Sequence, residues 1–71
     1  MFEHGQRITV PDPDDPQGRV VATFLEVAVG KPATISDPRV EGGTRKVDQA
    51  WVRYEDGTAG LVPFFEINPA A

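Results

Sequence analysis

Seventy-one residues leave room for one small domain and exclude a second core, since a chain of this length buries only about 60% of the surface it exposes when unfolded. Seven Lys and Arg against eleven Asp and Glu give a net charge of −4 and a pI near 4.7, which argues against a general nucleic-acid binder because such proteins carry a basic face that displaces counterions from phosphates. The lack of cysteine excludes disulfides and thiolate metal sites together; no signal-peptide pattern and no apolar run of roughly 18 residues is present, so the expected setting is cytoplasmic, away from membranes.

Twelve valines and isoleucines against two leucines, with seven glycines and seven prolines, favour pleated strands over helices. The expected class is all-β, one domain over residues 1–71 with its ordered part at about 5–68 and both ends loose. Gln6 to Val10 alternates, placing Ile8 and Val10 on one face of a first strand that Pro11 ends. Pro11 to Gly18 holds three prolines and three aspartates and reads as an exposed loop with polyproline-like stretches. Arg19 to Val29 is the longest strand candidate. Its alternation slips, since Val20, Ala22 and Phe24 share one parity while Val21, Leu25, Val27 and Val29 share the other. A bulge or bend there lets one strand serve two layers of a small barrel.

Gly30 to Val47 is too long for a structureless loop in a compact domain, so a short strand near Ile35 or Val40 is expected, with Glu41-Gly42-Gly43-Thr44 as a turn. Asp56-Gly57 between Trp51-Val52-Arg53-Tyr54 and Leu61-Val62 predicts a hairpin with a primed turn. Pro63-Phe64-Phe65-Glu66 predicts one tight helical turn, Ile67-Asn68 a closing strand, and Pro69-Ala70-Ala71 a frayed end.

This order of about five strands, together with Trp51, Gly60 and Pro63, resembles the Src-homology-3-like (SH3-like) barrel. In the peptide-binding branch of that fold a tryptophan opens the third strand, and a glycine, an apolar residue and a proline precede the tight turn. The tyrosine-bearing first strand of that branch is replaced here by Gln6-Arg7-Ile8-Thr9-Val10. The run Trp51-Val52-Arg53-Tyr54-Glu55-Asp56-Gly57, with Gly60-Leu61-Val62, is similar to small bacterial proteins that carry no assigned chemistry. Val62 to Asn68 resembles the ending of the type II dihydrofolate reductase barrels, which implies an oligomeric pore-type reductase as an alternative. Where those enzymes place a Val-Gln-Ile-Tyr run, this chain has Ala59-Gly60-Leu61-Val62, without the glutamine amide or the tyrosine hydroxyl.

No catalytic residue, metal site or cofactor is expected. His4 is the only histidine, and zinc needs three or four converging ligands; a mobile end is the simpler reading. The aspartates of Pro11 to Gly18 lack EF-hand spacing. The aromatic residues remain: Phe24, Trp51, Tyr54, Phe64 and Phe65 come from segments that would meet at one end of a small barrel, with Phe24 and Phe65 assigned to the core. Alternation puts Ala50, Val52 and Tyr54 inward and Trp51 and Arg53 on the opposite face. The expected function is therefore a non-enzymatic binding module for a protein partner or for another copy of itself, acting through Trp51, Arg53, Tyr54 and Phe64. A nucleic-acid alternative would use Arg39, Arg45 and Lys46.

Overall fold

Arg7-Ile8-Thr9-Val10 alternates as its sequence requires: Ile8 and Val10 are fully buried in the computed structural model, which describes residues 2–70. They lie in β1 (Arg7–Asp12), followed by β2 (Asp15–Val27), β3 (Ala33–Ser36), β4 (Thr44–Val47), β5 (Gln49–Tyr54), β6 (Ala59–Pro63), a single 3-10 turn at Phe64–Glu66, and β7 (Asn68–Pro69). The chain is all-β apart from that turn. None of the described segments is a helix long and apolar enough to cross a membrane.

Five strands form one antiparallel sheet in the order β6-β5-β2-β1-β7, and β3 with β4 forms a separate ribbon. The sheet is open, with β6 and β7 as its edges, where a closed barrel was expected. The cause is the last strand: two residues long, one of them proline, it pairs only with Ile8 and Thr9 of β1 and has too few donors to reach β6.

The slip in β2 is a bulge. Phe24 pairs with Val52 and Glu26 with Trp51, so Leu25 is the extra residue. Ala22 and Phe24 point inward before it, and Val27 faces the Ala50 side after it. The carbonyl of Leu25 accepts a hydrogen bond from Nδ1–H of His4 at 2.8 Å. His4 is thus tied to the bulge. Phe2 packs against Phe24 with ring centroids 5.7 Å apart.

Pro11 does not end β1. It pairs with Arg19, Asp12 pairs with Asp15, and the register shifts between them. Short aspartate acceptors hold the tip: Asp12 Oδ1 takes the Asp14 N–H at 2.9 Å and Asp15 Oδ1 the Gln17 N–H at 3.1 Å. Gly30 to Val47 resolves into the β3–β4 ribbon, with Ile35 in β3, Val40 in the connection, and Gly42 and Gly43 at φ +88° and +76°. The last hairpin differs in turn type. Gly57 N–H donates to the Tyr54 carbonyl at 3.0 Å and only Gly57 has positive φ there, so an ordinary turn is followed by a left-handed glycine in place of a primed pair. The C-terminus is held as far as Ala70, whose N–H donates to the Arg7 carbonyl; Ala71 lies outside the described residues.

The core is built from Ile8, Val10, Ala22, Phe24, Ala50, Val52, Val62 and Ile67, with Phe2, Val20, Tyr54 and Phe64 packed on its margins.

Candidate binding groove

The residues proposed from sequence fall on three different surfaces. Trp51 is half-buried on the outer face of the sheet, between Glu26 of β2 and Leu61 of β6. Arg53 is exposed on the same face, where its Nη1 donates to the Gly57 carbonyl at 3.1 Å. Tyr54 takes the inner side, against the core margin. Phe64 packs on Phe24 with centroids 6.1 Å apart. Phe65, assigned to the core, is instead 58% exposed. Side chains in a 3-10 turn step by about a third of a circle, so when Phe64 faces Phe24 its neighbour turns outward.

Tyr54 is the junction of two adjoining clefts. One, of about 360 Å³, has Val20 and Val21 as apolar wall and Asp12, Asp14, Glu55 and Asp56 as its charged groups. The other, of about 440 Å³, runs between the proline-rich arm of β1 and β2 and the edge strand β6, and adds Pro63 and Glu66. Asp12, Pro13 and Tyr54 line both, making one groove along the seam the sheet leaves open. Among the described residues, five carboxylates and no Lys or Arg line it. Arg7 touches Glu55 from outside at 3.5 Å, a weak exposed pair.

The electrostatics of the groove follow from its shape. Burial of the ring first, and the nearby Asp56 charge second, raise the Tyr54 hydroxyl above the ordinary tyrosine range. Asp56 is held below the usual aspartate range by the Thr58 hydroxyl, at 2.6 Å, and the Thr58 N–H, at 2.9 Å. The groove therefore sets a neutral aromatic wall beside the Asp56 carboxylate. Such a site suits a cation carried on an aliphatic stem.

A third cleft, of about 460 Å³, joins Val27, Val47, Phe64 and Phe65 to Arg45, Lys46 and Asp48. Its basic side is partly spent. Asp37 is only 6% exposed and takes Arg39 Nε at 3.2 Å and Arg45 Nε at 2.9 Å, so two of the three cations of the nucleic-acid alternative close a loop. Among the described residues no three histidine or carboxylate side chains converge to hold a metal ion.

Sequence reasoning named Tyr54 but missed its surroundings. The arm's sequence reads as an exposed loop, and nothing in the spacing of its aspartates says that they come to line a cleft with Tyr54. No family model matches the chain, and neither the curated proteins nor the solved structures include a match.

Proposed function

We propose that this chain is a non-enzymatic binding module that takes a basic segment of a protein partner in the groove centred on Tyr54. The observation that carries the reading is the one-signed rim: Asp12, Asp14, Glu55, Asp56 and Glu66 surround a half-buried tyrosine, and among the described residues no Lys or Arg lines the groove, Arg7 meeting Glu55 only through a weak exposed pair at 3.5 Å. A lysine or arginine lays its methylenes on Tyr54 and Val20 and its charge among the carboxylates. The strand order β7-β1-β2-β5-β6, with β2 shared by both halves and one helical turn before the closing strand, supports reading the module as SH3-like.

The test is NMR titration with the heptapeptide Lys-Val-Lys-Val-Lys-Val-Lys. Binding that shifts the Tyr54 resonances, weakens steeply with added salt and disappears in the Asp14→Lys, Glu55→Lys double variant is expected. Neither substitution removes a capping acceptor of the arm or the hairpin. No binding, or binding indifferent to the double variant, overturns the proposal.

A further inference from the structure

The edge strand β6 borders this groove, and its backbone is set to receive another strand. Tyr54 N–H donates to the Thr58 carbonyl at 2.8 Å and Phe64 N–H to the Asp48 carbonyl at 3.1 Å, with unbroken register between them. Alternation then directs the backbone groups of Gly60 and Val62 to β5. Those of Ala59 and Leu61, with the Pro63 carbonyl, point away from the sheet. Natural edges are normally blunted by charge, proline or a bulge. Ala59-Gly60-Leu61-Val62 has none of these, and proline appears only at its end.

We infer that the partner segment binds as an extended strand added antiparallel to β6, a reading that rests on the groove proposal above. Residues pairing with Ala59 and Leu61 turn their own N–H and C=O to β6 and their side chains to the outer face, where they extend the Trp51 and Leu61 row. The residues between them point inward, to the carboxylates and Tyr54. The occupant is thus an alternating basic and apolar segment: cations inward, apolar side chains outward. A second copy of this chain is disfavoured by charge, since it brings a net −4 to a rim already negative.

Two methylated forms of the same heptapeptide test this. N-methylation of the valines removes the donors facing β6 and is expected to weaken binding at least about tenfold. N-methylation of the interior lysines alters amides that face away and leaves affinity within about twofold. Equal affinity of both forms, or the reverse order, overturns strand addition while leaving the groove proposal standing. Failure of the unmodified peptide to bind overturns both.

Discussion

Tyr54 lies over Gly60 of the neighbouring strand, its ring occupying the space a side chain would take: a β-carbon at 60 would meet Cε2 at 3.0 Å and the hydroxyl at 3.4 Å. The glycine lets an aromatic wall sit against the sheet, and so sets the depth of the groove.

Gly60→Ala is therefore expected to push the ring outward and lower stability by about 1 kcal/mol. That corresponds to a fall of roughly 4–8 °C in melting temperature for a domain of this size. An unchanged melting temperature would mean that the ring yields without cost and does not define the wall.

Because Tyr54 is the only tyrosine, its phenolate absorbance gives one titration curve. The midpoint is expected above the ordinary value of about 10. A phenol raised in the folded state contributes stability that is present below the unfolded value and is lost as pH climbs through the folded one. Asp56→Asn removes the smaller cause and should lower the midpoint part of the way. A normal midpoint in the native protein would place the hydroxyl in open water.

Asp37 carries the opposite sign. Hydrogen bonds from the Arg39 side chain and N–H, then from Arg45, outweigh desolvation and depress its carboxyl. Its contribution is complete above the unfolded value of roughly 3.9 and is lost as pH falls through the lower folded value. Amide signals of β3 and β4 are expected to collapse on acidification below about pH 4. In Asp37→Asn they should already be loosened at neutral pH and respond little to acid. A ribbon equally acid-sensitive in both proteins would refute the role given to this carboxylate.

Gly57 has φ +91° with open space where a β-carbon would go, so the penalty for a side chain there is conformational rather than steric crowding by neighbours. Gly57→Val should lose at least about 1 kcal/mol in chemical denaturation, and Gly57→Asn less, because asparagine tolerates the left-handed region. Equal losses would contradict the turn described.

Trp51→Ala should preserve the fold, costing well under the roughly 3–5 kcal/mol of truncating a buried aromatic such as Phe24. In the native chain the indole should be open to acrylamide and become shielded when the heptapeptide binds. A quencher-resistant indole in the isolated monomer would remove Trp51 from the proposed contact.

Local patterns wrote much of the fold plainly. Ile8 and Val10, the slipped parities around Leu25, the stop at Pro63 and the outward Trp51 all follow from period-two alternation and proline chemistry. The arm was illegible for a physical reason. Its prolines advertise a loop, while Asp12 and Asp15 supply the acceptors that let the chain keep strand geometry around them. Phe64 and Phe65 could not be told apart, since a helical turn of one revolution has no period to read. The groove depends on Asp12 and Tyr54, far apart in sequence, coming to line the same clefts, which no local pattern encodes.

The β3–β4 ribbon contributes no residue to the hydrophobic core. At its root the Ala28 N–H meets the Gln49 carbonyl at 2.9 Å and Gln49 Nε2 meets the Lys31 carbonyl at 2.9 Å. Those bonds lie on the near side of the ribbon and would survive its replacement. The ribbon is in this sense an exchangeable fitting on a finished frame. Lengthening it, recharging it or shortening it to a bare turn leaves the groove intact, because none of its residues lines that groove, so the two surfaces are open to independent change.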